Sequence, residues 1–312
     1  MAVFEVFSHP EVRRYKSTVC SKATLILVCI FILTFIPPLF VVYRSYGFWI
    51  KEAYYRELPE ITFKRELLLV LDLEGQGNYV TYSTYQKYNQ LQQDNLRVPV
   101  IKAREEDSNR DGRNDKMMLD IEIPMLDSEN VVGTRLLLVF YYRLKKFSSL
   151  YMESLAYIDY ESSRPGAMLD VIGDLKVLQK QPLGHKGLDT RYNVSSSLID
   201  STSTYADTYL LSNILKQYSQ RNVTTRLVEP FKFWTSGRGA GKPFKISATI
   251  SYPEDLFLYT PGFWYLIKWG WIQYLSVLIV FIYIFRQVKI FIFQNQLVIS
   301  LVEKPYNNYK SS

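Results

Sequence analysis

The stretch that decides the fold is Ala23 to Tyr43, ATLILVCIFILTFIPPLFVVY, which contains no charged residue. A bilayer core is crossed by about 20 apolar residues in helical conformation, and this run meets that length. Its one irregular feature is Pro37-Pro38. Neither proline can donate a backbone hydrogen bond, so the helix is expected to break or kink after about Ile36. A second charge-free run extends from Trp269 to Phe285, with apolar Trp264 to Ile267 beyond Lys268. A lysine near a span end can snorkel to the headgroups. The first run could instead be read as a signal peptide. The long segment before it, its own length and the lack of a small-x-small cleavage site before Arg44 favour an anchor.

Lysine and arginine near the span ends set the expected orientation. Arg13, Arg14, Lys16 and Lys22 precede the first run, and Arg286 and Lys289 follow the second. Both ends of the chain are therefore expected in the cytosol, with the middle region outside or in a lumen. The expected division is a tail over 1–22, a span over 23–43, a strand-rich extracellular domain over 44–268, a span over 269–285 and a tail over 286–312. Gly47-Phe48-Trp49 and Gly262-Phe263-Trp264 echo each other at the outer ends. With Trp269 and Trp271 they place four of the 5 tryptophans at one interface, as in an aromatic belt. Asn193-Val194-Ser195 and Asn222-Val223-Thr224 are glycosylation sequons, both in the expected outer region. Cys29 lies within the first run and Cys20 just before it, so the outer domain has no disulfide; Cys20 is open to palmitoylation or to remaining a free thiol.

The chain has 312 residues, 48% hydrophobic, which excludes a wholly disordered chain. Its net charge of +7 is concentrated at the ends instead of on the folded middle, which argues against a nucleic-acid partner. Phe63 to Leu73, Leu119 to Ile123 and Phe244 to Tyr252 alternate apolar and polar residues, as half-buried strands do. Leu136 to Tyr142 is apolar on both faces, as a central strand would be. Tyr79 to Tyr88 and Met168 to Leu178 are weaker strand candidates. Leu210, Leu211, Ile214, Leu215 and Tyr218 recur at helical spacing, with Asp207 as a candidate cap. The expected fold is two transmembrane helices flanking a mostly-β, sandwich-like domain with at least one helix and with neighbouring ends.

The sharpest local chemistry is Asp107-Ser-Asn109-Arg-Asp111-Gly112-Arg113-Asn-Asp115. Oxygen donors at positions 1, 3 and 5, glycine at 6, a backbone carbonyl from Arg113 at 7 and an acid at 9 suit a structural Ca²⁺. The bidentate glutamate usual at 12 is replaced by Met118, so Asp120, Glu105, Glu106 or water would have to contribute. The competing reading is an Asx-rich hairpin turn. Gly237 to Lys242 has the wrong spacing for a phosphate loop and reads as a turn. His185, the single histidine of the outer region, has no nucleophile elbow beside it. A lumenal hydrolase and an auxiliary channel or transporter subunit remain as alternative functions, although no Asp, Glu or Arg lies inside either span.

The order and spacing of Cys20-Ser21-Lys22-Ala23, Ile36-Pro37-Pro38-Leu39, Leu96-Arg97-Val98-Pro99, the Asp107–Asp115 loop, Arg191-Tyr192-Asn193, Gln220 to Thr225 and Pro261-Gly262-Phe263-Trp264 resemble the transmembrane protein 231 family. The likeness fades after Phe293-Gln294-Asn295-Gln296. It implies a two-pass, non-enzymatic subunit of the ciliary transition-zone tectonic-like complex, with tectonics, B9-domain proteins and other membrane subunits as partners. The implied role is in the diffusion barrier between plasma and ciliary membranes, in cilium assembly and in hedgehog signalling.

Overall fold

The computed structural model describes residues 13–45, 48, 50–75, 77–189, 192 and 197–303. In chain order the elements are β1 (Arg14–Lys16), α1 (Lys22–Arg44), β2 (Ala53–Glu57), β3 (Glu60–Leu73), β4 (Tyr79–Ser83), α2 (Gln86–Leu91), β5 (Val100–Glu106), β6 (Lys116–Ile123), β7 (Val131–Leu144), β8 (Ser149–Gln179), β9 (Leu188–Asp189), α3 (Leu211–Ser219), β10 (Val223–Ser236), β11 (Phe244–Ser251), β12 (Asp255–Tyr259), α4 (Phe263–Gln294) and β13 (Leu301–Glu303). They fall into two units, one over 51–262 and one formed by 1–50 with 263–312.

The terminal unit is a pair of long apolar helices. Ser21 caps α1 by accepting the Thr24 N–H at 3.3 Å. Of the expected break or kink, the break does not occur: α1 runs as one helix through Pro37 and Pro38 to Arg44. The prolines leave upstream carbonyls without their usual donors. Nearby hydroxyls add other bonds: Thr34 Oγ1 donates to the Ile30 carbonyl at 2.7 Å and Tyr274 Oη to the Phe35 carbonyl at 3.2 Å. Helix α4 is longer than its charge-free core, with 32 residues from Phe263 to Gln294. The apolar segment after Lys289 therefore extends the helix. Most side chains on both helices are exposed, unlike those of a soluble core helix. Gly270 brings α4 close to Phe48, whose carbonyl would lie 3.5 Å from an added Cβ. After α4 the chain turns at Gln296, φ 50°, and β13 returns antiparallel to β1. Lys16 pairs with Glu303 at 2.6 Å, and the Tyr15 and Phe293 rings lie 5.9 Å apart.

The middle unit is built around β8, 31 residues long. Its first half pairs with β7, which pairs with β3 and then β4. Its second half lies between β10, antiparallel, and β11, parallel; β11 leads to β6 and β5. The sheet thus folds over on itself about β8. Alternating residues of both halves fill one core, including Phe63, Leu69, Leu138, Phe140, Leu119 and Ile246. The fold changes partner at Gly166, which pairs with both Val131 and Ser236. Trp234 lies directly over it, donating from Nε1 to the Arg164 carbonyl at 3.0 Å.

The expected strands at Phe63–Leu73, Leu119–Ile123 and Leu136–Tyr142 are all present, and the one expected over Phe244–Tyr252 ends at Ser251. In β3 a bulge at Lys64-Arg65 inserts two residues between the pairs Phe63–Phe140 and Glu66–Val139. Two preserve the alternation, so Phe63 and Leu67 share the core face. Tyr79–Tyr88 is strand only to Ser83 and then turns into α2. Asp207 does not cap α3; it lies in a 3-10 turn, Ala206–Tyr209, and its carbonyl accepts from Asn213. The N-cap position is Leu210, which has no side-chain acceptor. The domain's ends meet within the domain itself, because β2 pairs with β12 and Ala53 faces Tyr259.

Candidate functional site

The Asp107–Asp115 loop joins β5 to β6, and its acceptors are turned on its own backbone. Asp107 accepts from the Gly112 amide at 2.9 Å, Asn109 Oδ1 from Asp111 at 2.9 Å and Asp111 Oδ1 from Arg113 at 2.8 Å. Asp115 Oδ2 accepts from Ser108 at 2.8 Å and Asn109 at 3.3 Å. Gly112, at φ 84°, takes the left-handed turn. Asn114 moors the loop to the Ile61 carbonyl. The auxiliary donors are engaged elsewhere. Glu105 accepts from the Phe63 amide at 2.7 Å, Glu106 pairs with Lys116 at 3.3 Å and Asp120 accepts from Ser247 at 3.0 Å. Among the described residues no group of three His, Cys, Asp or Glu could hold a metal ion. These bonds are those of an Asx-rich turn, and each carboxylate keeps further acceptor sites beyond them.

The other candidates are separate from this loop. Asn222 is half-buried just before β10, its side-chain amide donating to Gln181 at 3.0 Å. Asn193 lies outside the described residues. His185 is exposed between β8 and β9, and among the described residues no Ser or Asp is hydrogen-bonded to it. Gly237–Lys242 is a turn between β10 and β11, braced by Arg238, which donates to the Leu126 and Glu129 carbonyls at 2.6 and 2.7 Å.

A cluster not anticipated from the sequence lies on the outer face of the β3–β7–β8 sheet. Glu153, 1% exposed, accepts from Lys64 at 2.7 Å and from the Leu198 amide at 2.9 Å. Lys64 also pairs with Glu66 at 2.9 Å, and Glu66 accepts from Tyr85 at 2.8 Å. Burial opposes the charge on Lys64, but its hydrogen bonds to both glutamates outweigh it and raise its pKa. Burial and the Glu66 charge push the Tyr85 hydroxyl up. The guanidinium of Arg221 donates to the Glu153 carbonyl at 3.0 Å and sits over the rings of Tyr192 and Tyr218, 5.0 and 5.5 Å away. These bonds hold the segment ending at Leu198 and Ile199 under α2 and α3, beside Leu68, Leu137, Val139 and Leu155. The available sequence signal was Glu153 alone in the apolar run of β8, since a buried carboxylate requires a partner.

The two sheet faces differ in cover. The β3–β7–β8 outer face is buried by α2 and α3. The outer face of β10–β8–β11–β6 instead displays Phe231, Phe233 and Ile172, 64%, 57% and 41% exposed. Phe231 stands opposite Ile172, and polar pairs flank them, Lys245–Glu122 at 3.0 Å and Ser247–Asp120. An apolar patch rimmed by polar groups is the usual character of an interaction surface.

A family model described as Transmembrane protein 231 matches residues 1–302, past the Gln296 limit expected from the motifs. Curated relatives of that name include the Xenopus tropicalis protein, 48% identical over 312 residues, covering 100% of this chain and 99% of the relative. The Gallus gallus protein is 47% identical over 298 residues, covering 95% and 92%. The Homo sapiens protein is 45% identical over 303 residues, covering 96% and 95%. No solved structure matches the chain.

Proposed function

Because the chain belongs to the transmembrane protein 231 family, we propose that it is a non-enzymatic structural subunit of the ciliary transition zone. In this reading it assembles with tectonics, B9-domain proteins and other membrane subunits of the tectonic-like complex. It contributes there to the diffusion barrier between plasma and ciliary membranes, to cilium assembly and to hedgehog signalling. The observation that carries the reading is family membership across nearly the whole chain. The two apolar helices that bracket the strand domain and the exposed Phe231, Phe233 and Ile172 patch support it, since a subunit needs an anchor and a face to offer. Both termini lie in the cytosol in this reading, as the basic residues flanking the helices favour.

Tagged protein imaged in ciliated cells should concentrate at the cilium base; uniform plasma-membrane signal would count against the proposal. Phe231→Ser with Phe233→Ser should leave folding intact but reduce co-purification with tectonics. For topology, Asn222→Gln should remove one step of a glycosidase-sensitive gel shift, and Asn193→Gln added to it should remove the rest. A cytosolic domain would show no such shift even in the unaltered chain.

A further inference from the structure

Where β2 and β12 meet the turn from β7 to β8, the strand domain encloses more polar groups than its own atoms satisfy. Glu57 is buried and accepts the backbone amides of Lys145 at 2.9 Å and Lys146 at 3.1 Å. Asp255 stands opposite it across the β2–β12 pair and accepts the Val177 amide at 2.8 Å. Among the described residues no lysine or arginine side chain pairs with either carboxylate. Like charges facing each other across two strands are unfavourable, so this pair needs polar surroundings. Three hydroxyls lie with it. Tyr55, Tyr142 and Ser148 are each more than nine-tenths buried, and their hydroxyl oxygens have no hydrogen-bond partner in the protein.

The fold turns these five side chains toward one another. Tyr55 and Glu57 are two residues apart in β2 and share its inner face; Tyr55 stands opposite Phe257 as Glu57 stands opposite Asp255. Strand β7 delivers Tyr142 to the same core, and the turn after β7 carries Ser148. Burial foremost, then the charges of Asp255 and Glu57, hold the Tyr142 hydroxyl well above its ordinary pKa. Burial also raises Tyr55, where Ser148 and Glu57 lie close enough to act in opposite senses without making a well-formed hydrogen bond. Three unbonded hydroxyls together would cost a large share of a domain's net stability.

The carboxylates have spare acceptor sites, and the hydroxyls have free donors. A metal ion could meet the carboxylates but could not accept the hydroxyl hydrogens. The group that serves both must donate and accept. Water does so, and a buried water typically makes about three hydrogen bonds. We propose that this corner is a binding site for ordered internal water, which accepts from Tyr55, Tyr142 and Ser148 and donates to Glu57 and Asp255. The water joins the β2–β12 pair, where the two ends of the domain meet, to the β7–β8 turn. The site rests on the strand domain alone and is independent of which partners the chain assembles with.

The test uses the purified full chain in detergent. Tyr142→Phe separates a water-bonded hydroxyl from an unbonded one by the sign of its effect. Loss of a bonded hydroxyl should lower the melting temperature by about 2–4 °C. An unchanged or raised melting temperature would overturn the proposal, because removing an unbonded buried hydroxyl relieves a penalty. A direct bond from Tyr142 to a carboxylate would give the same sign, so a second measurement detects the water itself. Brief X-ray irradiation in oxygen-18 water converts protein-bound water to hydroxyl radicals that mark the adjacent side chains, read by mass spectrometry. Tyr142 should be marked although it is fully buried, whereas Phe244, equally buried, should stay unmarked. Equal protection of the two rings would overturn the water site in favour of direct bonding. If Tyr142→Phe failed to fold, the marking of the unaltered chain would decide alone.

Discussion

A single missing side chain allows β8 to change partner strands. At Gly166 an added Cβ would lie 2.2 Å from the Trp234 ring, closer than any tolerated contact. Trp234 cannot simply swing away, because its ring packs against Tyr160 and Phe244 at 5.3 and 5.6 Å and its N–H is bonded to Arg164. Gly166→Ala should destabilise the full chain by about 1–3 kcal/mol in chemical denaturation. Adding Trp234→Ala should make the two effects less than additive. The Asp107–Asp115 loop makes a residue-scale prediction of its own. Since its carboxylates already accept from its own amides, chelator or added Ca²⁺ should leave the melting temperature of the full chain unchanged. A calcium-dependent rise abolished by Asp107→Ala with Asp111→Ala would show that the loop reorganises around the ion. The D-x-N-x-D-G spacing was legible in the sequence, but which amides would capture those oxygens was not, because spacing does not encode backbone direction.

At the scale of elements, the buried ion cluster links β3, β8 and the segment beneath α2 and α3. Glu153→Ala removes the acceptor for Lys64 and for the Leu198 amide. Breaking a buried pair on one side costs about 3–5 kcal/mol, so a loss near the lower end is expected, as Glu66 still serves Lys64. Lys64→Met combined with Glu153→Met should lose less than the two single changes together. A full sum would show that the pair is not coupled. Within the helix pair, Tyr274→Phe removes the bond to the Phe35 carbonyl. Hydrogen bonds between membrane helices average about 0.6 kcal/mol, so the loss should be small. The double proline nonetheless sits in an unbroken α1. Proline chemistry alone argued for a break or a kink, but the bilayer favours helix so strongly that a spanning segment retains it.

On the whole-molecule scale, the fold binds protons more tightly than the unfolded chain at alkaline pH. Burial raises the hydroxyl pKa values of Tyr85, Tyr142 and Tyr252 above their ordinary 10.0. Lys64 is raised from 10.5 because its bonds to Glu153 and Glu66 outweigh burial. An unfolded tyrosine ionises near pH 10, whereas these stay protonated in the fold, so stability falls as pH rises above that value. The Lys64 contribution is complete below 10.5 and is lost as pH passes its raised folded value, in the same direction. Melting temperature should therefore drop steeply above about pH 10, and Tyr85→Phe should make the drop shallower. A flat profile to pH 11 would contradict the linkage.

What the sequence determined by itself was whatever is written in short-range periodicity and charge. The helices required only apolar length, and β6 and β11 required only alternation, because one buried face imposes a period of two wherever the strand finally pairs. What only the tertiary structure decided were the long-range pairings. These include β8 joining the two halves of one folded sheet, β1 meeting β13 across almost the whole chain, Glu153 finding Lys64, and one sheet face being covered while the other stays open. Such choices depend on which surfaces collapse together, and no local window of residues contains that information.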